Sequence, residues 1–422
     1  MSVPSIEDAR RAVKTKDYSK AEEIYNDLLS AKSVSDKINQ SKENAILELG
    51  QMYRDTDNKE SLVALISQSE AILSTFAKSK TSKIVRSLID LVESLPGGEE
   101  VLDLTIKVTS DCIEWAVKEK RSFLRQALQL RLASLYYKKK TYTEALAIIN
   151  NLLKEFKKLD DKSSLVEVQL LEAETYLALK NFAKSRASLT SARTSANSIY
   201  CPTQLQAQLD LMSGILHAED KDYNTAFSYF FESFESFQLH TEDEKTIKVL
   251  KYMLLCKVML GLVADVKTIL ASKNITKFVE NKDIDAMKAV ATAHSNRSLG
   301  EFEGCLKQYS AELTQDPIIR SHLNELYDSL FQQNLLKLIE PYSCIEIQHI
   351  SSMIGLSTKV IESKLSHMIL DKVFYGVLDQ GNGWLIVYDE PQVDEGYDLS
   401  LSVIKNMSSV VELLYEKASF LN

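Results

Sequence analysis

Glycine and proline are scarce in this 422-residue sequence, 12 and 6 respectively, too few for a loop-rich enzyme of this size. Cysteine is thin as well. Cys112, Cys201, Cys256, Cys305 and Cys344 are odd in number and far apart, which argues against a disulfide framework or a local metal knuckle and fits a reducing compartment. Cys112 and Cys256 fall inside apolar helical patterns and read as inert core thiols. No run of about 18 uncharged apolar residues occurs, so no membrane span is expected. Met1-Ser-Val-Pro-Ser-Ile-Glu-Asp lacks the basic and then apolar regions of a secretory signal, and the expected location is cytoplasm and nucleus. The six histidines form no His-Glu-x-x-His, and neither a Gly-rich phosphate loop nor a Gly-x-Ser-x-Gly elbow is present. No catalytic, cofactor-binding or metal residue is assigned, and the expectation is a protein that is not an enzyme. A formal charge of -9 gives no general attraction for nucleic acid or anionic lipid.

What is abundant is helix-forming. With 45% apolar and 26% charged residues the chain can bury a large core. Four segments share an aromatic followed three residues later by a small residue: Tyr18 to Ala21, Tyr142 to Ala145, Phe182 to Ser185 and Tyr223 to Ala226. The last three aromatics are spaced by 40 and 41 residues, and Leu262 and Phe302 continue the phase. Counting back gives weaker units near Val101 and Lys59. Each strong unit reads as a helix, a tight turn carrying Lys, Asp or Asn, and a second helix. The ring can plug the mouth of the pair while the small residue lets the backbones approach. Such pairs cannot bury their apolar faces alone, so a right-handed tetratricopeptide-like (TPR-like) solenoid of roughly eight units is expected.

From Pro341 the pattern changes. Cys344 to Ile347 reads as an edge strand, Gln348 to Gly355 as a short helix, and Ser357 as the cap of a second helix, with Leu356 and Ile361 spaced as a hydrophobic staple. Two strands, Val373 to Asp379 and Trp384 to Tyr388, then flank an Asn382-Gly383 hairpin signal. That order describes a winged helix. Between Tyr342 and Glu390 it carries Lys359, Lys364 and Lys372 against six acidic residues, a poor balance for a duplex reader, so protein pairing is expected over nucleic acid. Trp384 to Tyr388 or Cys344 to Ile347 is expected to be an edge strand that pairs with the equivalent strand of a related subunit, with Ile345, Ile347, Trp384 and Val387 as the candidate contact residues. No flexible linker precedes the module, and the helix Ile318 to Ile339 is expected to pass into it from the solenoid as one rigid body.

Two further surfaces are candidates for partners. Ile404, Met407, Val411, Leu414, Ala418 and Leu421 form one apolar face of a last helix, about 27 Å long at about 1.5 Å per residue. Arg10, Arg11, Lys14, Lys16 and Lys20 cluster near the N-terminus of an otherwise acidic chain and suit a carboxylate-bearing partner.

Several long segments carry a family resemblance. Lys154-Glu-Phe-Lys-Lys-Leu-Asp-Asp-Lys162, Ala196-Asn-Ser-Ile-Tyr-Cys-Pro-Thr203, Leu209-Asp-Leu-Met-Ser-Gly-Ile-Leu-His217, Ala226-Phe-Ser-Tyr-Phe-Phe-Glu-Ser-Phe-Glu235 and the stretch from Leu370 to Trp384 resemble the fungal non-ATPase lid subunits of the 26S proteasome regulatory particle. These belong to the wider PCI class shared with the signalosome and the translation initiation factor three complex. The resemblance implies a mostly α fold: an N-terminal helical-repeat arm over 1–220, the helical part of a PCI domain over 221–340, a winged helix over 341–390 and a bundle helix over 398–422. It implies a non-catalytic scaffold needed for lid assembly and for clamping the regulatory particle onto the core particle in ubiquitin-dependent degradation. The implied partners are other PCI lid subunits, the lid deubiquitinase, a core-particle alpha subunit and the ATPase ring, in a hetero-oligomer without cofactor, nucleic acid or membrane. A scaffold of one of the two related complexes is the alternative, and a winged-helix nucleic-acid binder the remaining one. Ser30 to Ser41 departs from the family in length and content, which leaves the local helix boundary open.

Overall fold

The computed structural model describes residues 9–12, 18–30, 36–73, 76–239, 243–273, 275–278, 281–314, 316–355, 357–389 and 395–419. Lys14, Lys16, Leu356 and Leu421 lie outside them. The chain divides into two compact units, Met1–Cys256 and Lys257–Asn422.

The first unit is a succession of helix pairs. Helices begin at Tyr18, Lys59, Tyr142, Phe182 and Tyr223, where the repeat places its second helices. Their preceding partners include Ser122–Lys138, Lys162–Ala178 and Thr203–Glu219. The turn between partners is a two-hydrogen-bond Schellman cap that recurs along the chain. Lys140 N–H donates to Tyr137 O at 3.0 Å and Thr141 N–H to Tyr136 O at 3.0 Å. The same pair of bonds recurs at Lys180 and Asn181, and again at Lys221 and Asp222. Lys140, Lys180 and Lys221 take the left-handed backbone, with φ of 67°, 58° and 66°. That conformation costs a non-glycine residue roughly 1–2 kcal/mol, and the two bonds to otherwise orphaned carbonyls offset it. The next residue then caps the second helix: Asn181 Oδ1 accepts from Lys184 N–H, and Asp222 Oδ1 from Thr225 N–H, both at 3.3 Å.

Packing within each pair depends on the small residues. Ala21, Ala145, Ser185 and Ala226 are fully buried. Ser185 Oγ donates to Ala173 O at 2.8 Å and Ser233 Oγ to Ala207 O at 2.9 Å, so hydroxyls bridge directly to the facing helix backbone. The aromatics do less than the sequence suggests. Tyr142, Phe182 and Tyr223 are only half-buried, and Tyr142 packs on Tyr137 at 6.0 Å between ring centroids. The interior is filled instead by Phe230, Phe234, Phe237 and Tyr252.

The second unit keeps the pairwise scheme with a shifted register. Gly261 and Arg297 close helices with positive φ, and helices follow at Val263–Leu270 and Leu299–Gln308. Phe302 therefore sits one turn inside its helix, because the Ser298 cap, accepting from Glu301 N–H at 3.3 Å, fixes the start earlier. Pro317 opens the long helix Pro317–Ile339, since its missing N–H is tolerated in the first turn. After it come β1 (Cys344–Glu346), helices Ile347–Ile354 and Thr358–Leu370, β2 (Tyr375–Asp379) and β3 (Trp384–Tyr388), in the antiparallel order β1-β3-β2. The hairpin forms at Asn382-Gly383, where Gly383 takes φ 71° and the Asp379 carboxylate accepts from Gly381 N–H at 3.0 Å and Asn382 Nδ2 at 2.9 Å. Ser357 occupies the cap position of the second helix, but its hydroxyl makes no capping bond.

Candidate interaction surfaces

The winged module is held to the long helix before it. Lys364 Nζ, on Thr358–Leu370, lies 2.7 Å from Asp328 Oδ1 on Pro317–Ile339. Ile361, Leu365 and Met368 from the same helix are fully buried with Leu385 of β3. Lys359, Lys364 and His367 are the side chains of this helix that could donate to nucleic acid; Lys364 is engaged with Asp328, and Lys359 and His367 are exposed.

The sheet order corrects the expectation for two strand residues. β3 is central, paired with β1 through Ile345 opposite Leu385 and with β2 through Val377 opposite Ile386, because β1 closes the far side of the hairpin. Trp384 and Val387 are therefore not on an edge, and Val387 N–H donates to Ser343 O at 2.9 Å. The outer strands are β1 and β2. Val387 to Ser343 and Ile347 N–H to Gly383 O, both 2.9 Å, set the alternation that turns the backbone groups of Cys344 and Glu346 outward. Ile345 and Ile347 are 5% and 2% exposed, so their side chains build the module's core and do not face a partner. The Trp384 ring is 45% exposed.

The terminal helix Glu395–Ser419 carries a long run of exposed apolar side chains. Every residue from Gly396 to Ala418 is exposed. Ile404, Met407 and Val411 are each 63% exposed and Leu414 61%, so the face does not fold back on its own winged module. Leu399, Leu401, Val403, Val410, Leu413 and Tyr415 are also more than half exposed, which makes the apolar surface broader than a single seam.

At the N-terminus, Arg10 is not simply a surface cation. Its Nη2 lies 2.6 Å from Glu48 Oε1 on Asp36–Asp55, and Tyr25 Oη donates to the other Glu48 oxygen at 3.0 Å. Burial and this carboxylate push the Tyr25 phenol well above its usual range. Arg11 and Lys20 are exposed. Nothing in the sequence marked Glu48, 38 residues from Arg10, as the partner. Cys112 and Cys256 are buried. Among the described residues no group of three or more His, Cys, Asp and Glu is placed to hold a metal ion, and no helix is long and apolar enough to cross a membrane.

A helical solenoid that runs into a winged module is the PCI architecture, and residues 306–389 match the PCI domain. Residues 2–139 match the 26S proteasome regulatory subunit RPN6 N-terminal domain, and 393–419, which contain the exposed helix, match the 26S proteasome subunit RPN6 C-terminal helix domain. The sequence is 53% identical over 436 residues to 26S proteasome regulatory subunit RPN6 of Saccharomyces cerevisiae, covering 100% of both chains. It is 51% identical over 423 residues to probable 26S proteasome regulatory subunit rpn6 of Schizosaccharomyces pombe, covering 100% of this chain and 99% of that one. Against the 26S proteasome non-ATPase regulatory subunit 11 homolog of Arabidopsis thaliana identity is 47% over 401 residues, 95% and 94% of the two chains. The chain belongs to the RPN6 family of 26S proteasome regulatory subunits.

Proposed function

We propose that this chain is a non-catalytic scaffold of the 26S proteasome regulatory-particle lid, required for lid assembly and for clamping the regulatory particle onto the core particle. The observation that carries the reading is the terminal helix, whose apolar side chains lie exposed from Leu399 to Tyr415. An apolar surface of that length is an aggregation hazard unless a partner covers it, and terminal helices of other lid subunits, joined in one bundle, supply the matching chemistry. The outer strand β1 would pair with a strand of a neighbouring PCI subunit. The N-terminal helices, with Arg11 and Lys20 exposed, would meet a core-particle alpha subunit and pass the ATPase ring. Catalysis is left to neighbours such as the lid deubiquitinase, and the protein would work in cytoplasm and nucleus.

Val411→Asp with Leu414→Asp tests this. Each anchor would contribute roughly 1.5–3 kcal/mol if fully buried in a seam, so the pair should be lost from affinity-purified lid. Both positions are exposed on the chain alone, so melting of the isolated protein should change little. Full incorporation of the double variant would refute the scaffold role of this helix.

A further inference from the structure

Helices Tyr142–Leu159, Lys162–Ala178 and Phe182–Asn197 line a groove of about 360 Å³ in the first unit. Lys154 and Lys157 stand on the first of these helices, Gln169 and Glu172 on the second, and Ser188 and Ser191 on the third. The members of each pair are three residues apart and so share one face of their helix.

What sets this groove apart is a set of unspent donors. On Phe182–Asn197 the hydroxyl of Ser185 donates to Ala173 O, that of Thr190 to Arg186 O and that of Thr194 to Ser191 O, while Ser195 Oγ donates to Gln169 Oε1 at 3.4 Å. Ser188 and Ser191 are the exceptions on this helix, for neither hydroxyl donates to a described residue, and both line the groove. Gln169 is 5% exposed, and accepting from Ser195 is the one hydrogen bond its side chain makes among the described residues. Both of its amide N–H donors are therefore unspent, at a depth where a polar group ordinarily has a partner. Lys154 and Lys157 are exposed and make no ion pair among the described residues, although Glu172 lines the same groove. A place near the C-terminal end of Tyr142–Leu159 suits two lysines by the helix dipole alone. That explanation does not extend to Gln169, Ser188 and Ser191, which have no such reason to keep their donors free.

We propose that this groove receives the carboxylate of a glutamate or aspartate side chain on a partner polypeptide. Two ammonium groups, one amide and two hydroxyls all offer N–H or O–H donors, and a carboxylate is an acceptor with about four sites to fill. Lys154 and Lys157 bring the charge on flexible stems that reach over the groove, so their contacts to the incoming oxygens are charge-assisted. Gln169, held by its burial, supplies the fixed donor that orients the group. Glu172 sets how much charge the occupant carries. Two ammonium charges against one carboxylate leave a single net positive charge, which one incoming carboxylate neutralises and a phosphate dianion would exceed. The volume is at the low end of the roughly 300–1,000 Å³ of pockets for drug-sized ligands, room for one side chain with the backbone that carries it.

The experiment uses the purified full chain with nitrogen-15 in its glutamines, titrated with a short glycine-serine peptide that carries one glutamate. Both ends of the peptide are capped, so that this carboxylate is its sole charge. Gln169→Leu identifies the side-chain amide signals of Gln169 by their loss. Those signals should shift on titration, and the midpoint should rise at least fivefold when Lys154→Gln and Lys157→Gln are combined. Both lysines are exposed, so that variant keeps the fold. Lys118→Gln, outside the groove, should leave the midpoint unchanged. If Gln169→Leu fails to fold by circular dichroism, the lysine variant decides, because it should weaken the shift at the one amide that moves. No shift, an equal shift with the glutamine twin of the peptide, or an unchanged midpoint in the lysine variant overturns the proposal. Tighter binding of a phosphoserine twin overturns the single-charge occupant. A response to a glutamine twin with a free C-terminal carboxylate, without one to the glutamate peptide, overturns the side-chain source. The measurement needs no proteasome, so its failure leaves the scaffold reading intact.

Discussion

A Cβ placed on Gly214 would lie 2.6 Å from Phe230 Cε1. Gly214 is a mid-helix residue of Thr203–Glu219, and Phe230 is 1% exposed on Tyr223–Leu239, so the ring cannot swing away. The crossing of these two helices thus depends on a missing side chain, in a position where glycine would otherwise cost about 1 kcal/mol relative to alanine. Gly214→Ala should destabilise the protein by about 1–3 kcal/mol through overpacking. Urea unfolding measures it, and Phe230→Leu in the same chain should recover part of the loss. An unchanged midpoint in Gly214→Ala would show that the helices separate freely.

Glu174 predicts a pH dependence. It is part-buried on Lys162–Ala178, and burial pushes its carboxyl up to about 7 against the pull of Lys248 and Lys245. Tyr137, from Ser122–Lys138, faces it too and is raised to about 12, by burial first and by Glu174 next. The folded chain therefore keeps this proton over a range in which the unfolded chain has released it. Its contribution to stability is complete below about 4.5 and is lost as pH rises through about 7. Glu174→Gln should be more stable than the parent at pH 8, by at most about 3 kcal/mol at about 1.4 kcal/mol per unit, and equal to it near pH 4. Thermal melts across that range check the sign, and a variant that loses stability at pH 8 contradicts the assignment.

The outer strand of the winged module can be blocked without damaging the module. Glu346 has φ -78° and ψ 134° at the cap of the helix that follows, a backbone that proline adopts, and its N–H points away from β3. Glu346→Pro should melt within about 1 kcal/mol of the parent yet enter the lid poorly. Proline at Ile345 or Val387 would instead remove donors from the ladder with β3 and unfold the sheet edge itself. Normal lid incorporation of Glu346→Pro would exclude pairing through β1.

Legibility followed how local each signal is. The hairpin at Asn382-Gly383 and the helix starts at Tyr142, Phe182 and Tyr223 depend on a few adjacent residues, and they stand where the sequence places them. The turns before those helices carry lysine in the left-handed backbone, so the glycine that usually marks such a cap is absent and the Schellman repeat stayed hidden. Pairing choices were less visible still. That β1 lies against β3 and leaves β3 central is a decision between segments about 40 residues apart, and alternation alone does not reveal it. Arg10 looked like one member of a cationic cluster because its partner Glu48 belongs to another helix. The terminal helix showed its apolar face clearly, but the sequence pattern could not distinguish folding back from exposure.

Amide hydrogen exchange over residues 396–418, compared in the isolated chain and in assembled lid, tests the scaffold account most directly. An exposed helix lacking tertiary packing opens easily, so these amides should exchange rapidly in the isolated protein and become strongly protected in the assembly. Core-level protection already present in the isolated chain, or rapid exchange that persists in the lid, would contradict it.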